Sequence, residues 1–181
     1  MALTASVRVA PMALEDIPAV LDIERRSFTT PWPPEAFHQE LTHNRLARYT
    51  VARQGGAVVG YAGVWLMVDE AHITTFAVHP DWRRQGVGRR LMQAVLVASR
   101  EMGAVHMTLE VRVSNGVAQA LYSQHGFAIA GRRERYYTDD NEDAYIMSTP
   151  PLGSEAMERY LADAYRAAEA DGADPEDEAP G

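Results

Sequence analysis

The sequence predicts a mixed α/β domain, one mixed sheet with helices on both faces, and three observations predict it. Apolar residues alternate over some stretches and recur at helical spacing over others, in the order β-α-α-β-β-β-α-β-α-β-β. Two of those strands flank Gly55-Gly56 and read as a hairpin. A further strand, 72–78, runs into the turn Arg83-x-x-Gly86-x-Gly88, and the clearest helix of the chain leaves that turn at once.

Taken in order, residues 5–10 alternate as a short strand. Leu14, Ile17, Leu21, Glu24 and Phe28 share one helical face, with Asp16 as the N-cap and Pro18 in the tolerant first turn. The stretch 29–34 (Thr-Thr-Pro-Trp-Pro-Pro) is stiff loop, because prolines bar helix at themselves and just before. Phe37 and Leu41 stand one turn apart on a short helix, Tyr49 and Val51 mark a strand, and 57–68 is a longer one. Helix 87–102 carries the stripe Val87, Leu91, Val95, Ala98 and Met102, and Gly103 stops it.

Strand 105–113 sets Val105, Met107, Leu109, Val111 and Val113 on one face, and His106, Thr108, Glu110 and Arg112 on the other. Asn115 caps a helix bearing Ala118, Leu121, Tyr122 and His125, ended by Gly126. Strands 127–137 and 144–148 close around a polar turn at 138–143, and Pro150-Pro151 ends the domain. A helix over 154–170 follows. From 171 onward the acidic Gly/Pro/Ala composition is too poor in apolar residues to fold.

A chain of 181 residues that is 46% hydrophobic supports one domain with a real core. The absence of cysteine excludes disulfides, thiolate metal sites and a cysteine nucleophile. The six histidines show no ligand spacing, so no metal is predicted. No basic stretch followed by an apolar run opens the chain. The longest apolar run, 57–68, is far short of the ~20 residues that span a bilayer. These features read as a soluble cytoplasmic protein without a membrane partner. The formal charge of −8 gathers in 152–181, where nine acids face two arginines. The body is nearly neutral, with arginines concentrated at 83–90 and 132–135, and lacks the broad basic charge of a nucleic-acid binder.

The glycine turn is where chemistry is most legible. Free N–H groups at a helix start make an anion site, and glycines let the backbone approach a phosphate. A Walker loop would need a lysine, and the chain has none; a Rossmann fingerprint would need glycine where Leu91 stands. What remains resembles the pyrophosphate loop of the GNAT superfamily of N-acetyltransferases, which hold acetyl-coenzyme A. The resemblance sharpens in Leu109-Glu110-Val111-Arg112-Val113-Ser114-Asn115, Leu121-Tyr122, Gly126-Phe127, Arg135-Tyr136-Tyr137 and Glu142-Asp143-Ala144. With Phe28-x-x-Pro31-Trp32, these are similar to the RimI group, which acetylates the N-terminal alanine of ribosomal small-subunit protein 18.

That resemblance implies a mostly antiparallel twisted sheet whose central strands splay to hold the coenzyme. It makes 1–151 the acetyltransferase domain and 152–181 a C-terminal tail. Phe76, Ala77 and Val78 would offer backbone groups to the pantetheine arm. Arg84, Gln85, Gly86, Val87, Gly88 and Arg89 would wrap the pyrophosphate, and Asn115 would touch the coenzyme. Glu110 would be the base, Tyr122 the acid, and Trp32 with Tyr136 and Tyr137 would border the acceptor, a protein or peptide N-terminus. His72-Ile73, Thr75 and the polar tip Asp139-Asp140-Asn141 depart from the family pattern on the substrate side.

The residues suit that chemistry. An α-ammonium with a pKa near ~8 must lose a proton before it attacks. Glu110 lies within an otherwise apolar strand, where burial would raise its pKa toward that of a useful base. Tyr122, on the next helix, would protonate the leaving sulfur. Each residue also has a plainer reading. Glu110 could pair with Arg112 or an arginine of 132–135, and Tyr122 could be core. Asn115 could be only a cap, and the aromatics could pack the loop. His72 could itself be a base. Other functions consistent with the pattern are acetylation of a small amine such as a polyamine or aminoglycoside, or non-catalytic binding of an acyl-coenzyme A.

Overall fold

The computed structural model describes residues 6–172. The chain runs through β1 (Arg8–Pro11), α1 (Ile17–Ser27), α2 (Pro34–Thr42), β2 (Ala47–Gln54), β3 (Ala57–Met67), β4 (Glu70–Val78) and α3 (Val87–Glu101). It continues through β5 (His106–Arg112), α4 (Gly116–Ser123), β6 (Ala128–Arg133), β7 (Ala144–Ser148) and α5 (Glu158–Gly172). The strands form one sheet in the order β1-β2-β3-β4-β5-β7-β6. Every junction is antiparallel except β4–β5. This is the mixed, mostly antiparallel sheet that the element order predicts.

Two cores lie on opposite faces. Leu91, Met92 and Leu96 of α3 pack with Met107 and Leu109 of β5 on one side. Val20 and Ile23 of α1 and Phe37 of α2 pack with Tyr49, Val51 and Tyr61 on the other. α3 seats closely because Gly60 has no side chain: a Cβ there would stand 2.9 Å from Leu91 Cδ1 and 3.0 Å from the Ala77 carbonyl.

The centre of the sheet is where its pairing fails. β4 and β5 pair in parallel only at Glu70↔His106, Ala71↔Met107 and His72↔Thr108. Just beyond, the β3–β4 register steps from Val64↔Ile73 to Gly63↔Thr75, so Thr74 is an extra residue in β4. Such a bulge bends its strand and changes which face successive residues take. Ala71 and Ile73 belong to the α3-side core, whereas Ala77, of the same parity, belongs to the opposite one. The edges of β4 and β5 that face each other past this point are left without a strand partner.

Several local expectations are corrected. β6 ends at Arg133 rather than 137. Arg135 takes φ +48°, and its N–H donates to Asp143 Oδ1 at 2.8 Å, which turns Tyr136 and Tyr137 off the sheet. Asp16 does not cap α1 with its side chain but accepts the Ala13 N–H at 2.9 Å and pairs with Arg53. Val105 stands exposed ahead of β5, and its N–H is spent on the Asp69 carbonyl at 2.6 Å. Among the described residues, no helix is long and apolar enough to cross a membrane.

Pro150-Pro151 turns the chain without ending its packing. The Leu152 N–H donates to the Val105 carbonyl at 2.6 Å, a short 3₁₀ turn spans Glu155–Met157, and α5 then lies along α3. Leu152, Met157, Leu161 and Ala164 are buried in the α3-side core. Arg90 of α3 donates to the Ala167 carbonyl at 3.2 Å and to Asp171 at 2.5 Å. The acidic end expected from 171 lies, past Gly172, outside the described residues, as does residue 5 at the start of the first predicted strand.

We propose that the folding unit runs through α5. Burial of a Leu or Met side chain is worth about 1.5–3 kcal/mol, so losing Leu152, Met157 and Leu161 removes on the order of 5 kcal/mol. A whole domain has only about 5–15 kcal/mol. Truncation after Pro151 is therefore expected to lower the melting temperature sharply or abolish the cooperative transition in calorimetry. An unchanged transition would place the boundary at 151.

Candidate active site

The loop between β4 and α3 is built to present backbone donors. A 3₁₀ turn at Pro80–Trp82 is followed by Arg84 at φ +60° and Gly86 at φ +83°. Gly86 is the N-cap of α3, and no side chain caps that helix end. The first-turn N–H groups of Val87, Gly88 and Arg89 have no intrahelical acceptors. Gln85, its side chain donating to the Asp81 carbonyl at 3.3 Å, braces the turn from outside. A Cβ on Gly86 would meet no protein atom within 4 Å, so this cradle is open on its outer side. The open donors and the helix dipole fit a pyrophosphate. Gly88 has a packing task besides the one the resemblance implies. A Cβ there would press on Leu121 Cδ2 at 3.2 Å, so its absence seats α4 against α3.

Phe76, Ala77 and Val78 occupy the part of β4 that has left β5, with one edge paired to Ala62, Tyr61 and Gly60 of β3. Asn115 does cap α4: its Oδ1 accepts the Ala118 N–H at 3.1 Å. Tyr122 is buried on the α3 side, its ring edge-on to Phe76 at 5.9 Å and tilted against Phe127 at 6.0 Å. Burial pushes the Tyr122 phenol up, and Tyr137 adds to the effect. It stays protonated at any physiological pH.

Glu110 projects from the opposite face of the sheet. His72 lies there too, because the short β4–β5 pairing sets it opposite Thr108. The His72 Nε2 is 2.5 Å from Glu110 Oε2, and Arg133 Nε is 3.5 Å from Oε1. The expectation that burial raises the pKa of Glu110 is corrected here. The hydrogen bond from His72 outweighs the opposing effect of burial, Arg133 helps, and the carboxyl sits below its ordinary value. Glu110 is thus an ionised, hydrogen-bonded carboxylate, and Arg112 is not its partner.

Trp32, Tyr136 and Tyr137 sit on two separate loops. Trp32 packs on Phe37 at 5.4 Å, and Tyr136 meets Tyr137 edge-on at 5.1 Å. Burial pushes the Tyr137 phenol up to about 12, and it raises Tyr136 as well. The Glu110 carboxylate adds to both shifts, so the pair faces the same space.

Two glutamates that sequence reasoning did not single out as functional fix this region: Glu24 holds the Trp32 loop itself, and Glu40 ties α2, which follows it, to β2 and β3. Glu24 is buried, accepts the Trp32 N–H at 3.0 Å and the Tyr61 hydroxyl, and has its pKa raised by burial. Glu40 accepts from Tyr49 Oη at 2.9 Å and from Trp65 Nε1 at 2.6 Å. The one available signal was Glu24 standing in the apolar stripe of its helix.

This fold, with an open anion cradle beside parted strands, has counterparts among known proteins. The model of the Acetyltransferase (GNAT) family matches residues 17–127, more than half of the chain. A Bacillus subtilis protein provisionally named ribosomal protein bS18-alanine N-acetyltransferase is 44% identical over 139 residues, 77% of this chain and 92% of that one. The Escherichia coli protein named ribosomal protein bS18-alanine N-acetyltransferase is 36% identical over 146 residues, 78% and 96% of the two chains. The crystal structure of the Escherichia coli S18-alanine enzyme superposes with a TM-score of 0.73 at 33% identity, over 83% of this chain and 97% of that one. The chain belongs to the GNAT family and is an acetyl-coenzyme A-dependent N-acetyltransferase. Within that family it is RimI-like.

Gly86→Val puts a β-branched residue at φ +83°, a strain of about 1–3 kcal/mol that the loop must relieve by moving its donors. Affinity for coenzyme A is expected to fall at least about tenfold in calorimetry, the equivalent of ~1.4 kcal/mol. Unchanged affinity would remove the loop from the coenzyme site.

Proposed function

We propose that the protein acetylates the α-amino group of an N-terminal alanine, on ribosomal protein bS18 or a similarly exposed N-terminus. Two relatives whose names carry that activity support the acceptor. The observation that carries the chemistry is the placement of Glu110 and Tyr122 on opposite faces of the sheet, at the gap where β4 leaves β5.

Bound acetyl-coenzyme A supplies the acetyl group as a thioester. The pyrophosphate would be held by the first-turn donors of α3 with Arg84, Gln85 and Arg89 around them. The unpaired edge at Phe76–Val78 offers backbone groups to the pantetheine arm, as an added strand would, and Asn115 has an amide NH₂ left for the ligand after capping. The incoming ammonium gives a proton to the ionised Glu110, directly or through water, and its nitrogen lone pair is then free to form the N–C bond. His72 keeps that carboxylate ionised and fixed. As the C–S bond breaks, the protonated Tyr122 phenol would give its proton to sulfur, and the second proton that the nitrogen sheds on becoming an amide would restore the phenol, directly or through water. Trp32 on one side and Tyr136-Tyr137 on the other border the acceptor. The working compartment is the cytoplasm, where ribosomal proteins are made.

Glu110→Gln keeps the shape and removes the base. Its kcat is expected to fall by ~10²–10⁴-fold at neutral pH and to recover in part at high pH, where the amine is already neutral. Tyr122→Phe should lose a similar factor with no such recovery. Near-normal kcat in Glu110→Gln would sink the assignment, and mass spectrometry of alanine-first peptides with free and blocked N-termini checks the acceptor.

The pH profile separates the role of His72. Protonating Glu110 removes the base, and His72 holds its pKa low, so the acid limb of kcat lies below the ordinary carboxylate range. His72→Leu removes the hydrogen bond and leaves the burial, so the pKa rises and the limb is expected to move to higher pH. A limb that stays in place would detach His72 from the carboxylate that titrates.

A further inference from the structure

Arg112 follows Glu110 by two residues on β5 and so projects from the same face of the sheet. Its Nη2 donates to both oxygens of Asp139 at 3.0 and 2.9 Å. Its Nη1 donates to both oxygens of Asp140 at 3.0 and 3.1 Å, and to Glu142 at 3.2 Å. The guanidinium carbon stands 3.9 Å from the centre of the Tyr137 ring. A single exposed ion pair is worth little, but a planar fork shared by several carboxylates and stacked on a ring is a specific fixture. Without that cation the three carboxylates would repel one another across one short turn.

The fixture reaches further. Asp139 Oδ2, already bonded to Arg112, accepts the Thr29 hydroxyl at 2.6 Å. Thr29 lies in the loop between α1 and α2, three residues before Trp32. One path of hydrogen bonds therefore joins the strand of Glu110 to the hairpin of Tyr137 and on to the loop of Trp32. On the far side of that loop, Glu24 anchors the Trp32 backbone.

We propose that Arg112 is a positioning residue for the acceptor. It sets the height of Tyr137 above Glu110, and through the Asp139–Thr29 bond it sets the spacing between the two walls of the acceptor slot. This rests on the reading that Trp32 and Tyr136-Tyr137 border the acceptor. A residue that merely stabilised β5 would act on coenzyme and peptide alike. A residue that positions the walls acts on the peptide alone.

The test uses the full chain and an N-terminal alanine peptide, with Arg112→Gln, Arg112→Lys, Thr29→Val, Asp139→Asn and the Thr29→Val/Asp139→Asn double variant. Arg112→Gln is expected to raise the peptide KM about tenfold or more, the scale of one lost charge-assisted contact, with kcat within about threefold and coenzyme A affinity unchanged. Arg112→Lys should recover only part of this, because lysine keeps the charge without the fork. The Thr29 and Asp139 changes should be non-additive in peptide KM, as for two partners of one bond. Hydrogen exchange should quicken at both 134–143 and 29–34 in Arg112→Gln.

An unchanged peptide KM would overturn the proposal, as would peptide and coenzyme binding failing together with a lowered melting point. Faster exchange at 134–143 with none at 29–34 would show that the walls are not coupled, and would overturn it too. If the parent protein acetylates no alanine peptide, the acceptor reading itself falls, and the exchange experiment, which needs no acceptor, still decides whether Arg112 couples the walls.

Discussion

The rest of the structure depends on the parting of β4 from β5. A buried parallel pair would ordinarily continue its ladder, because unpaired backbone groups inside a protein are costly. Here the pairing stops after His72↔Thr108, two residues before the extra Thr74 on the other edge of β4. The bulge bends β4 away and reverses the parity of its residues. It leaves hydrogen-bonding edges exposed in the middle of a sheet, the place where an extended ligand can stand in for a strand. On the mechanism proposed above, it also lets Glu110 and Tyr122, from opposite faces of the sheet, act in one space.

The carboxylates of the site show how environment separates identical side chains. Glu24 and Glu110 are both largely buried, yet their titration moves in opposite directions. Glu24 is surrounded by the apolar core of α1 and receives its bonds from neutral donors, so desolvation governs it. Glu110 has His72 and Arg133 against it, and those partners win over desolvation. One anchors a loop; the other is held as an ionised carboxylate where β4 leaves β5. The acids at 139–142 take a third course, gathered on one guanidinium at the surface.

Most of the architecture was legible in the sequence because it rests on period and punctuation. The element order, the glycine turn and the cap at Asn115 all follow from local rules, and all appear in the structure. What stayed hidden depends on pairing between distant residues. Alternation marks His72 and Glu110 as lying on strands, but only the truncated β4–β5 ladder makes them neighbours. The strand expected through 137 fails for the same kind of reason. Asp143, eight residues on, captures the Arg135 N–H and turns the chain before Tyr136. The face switch in β4 was also beyond reach, since both faces of the sheet are covered and burial alternates unbroken through the bulge.

Arg133 stands 3.5 Å from Glu110, and the cations along these loops are all guanidinium groups, as they must be in a chain without lysine. A guanidinium keeps its proton at every accessible pH and is a poor nucleophile. A lysine in the same place would set a primary amine beside Glu110, where, on the mechanism proposed above, it would compete with the acceptor for the acetyl group. The side chains of this protein offer no such amine. No lysine side chain is therefore present to be acetylated, and each guanidinium that shapes the site keeps its charge.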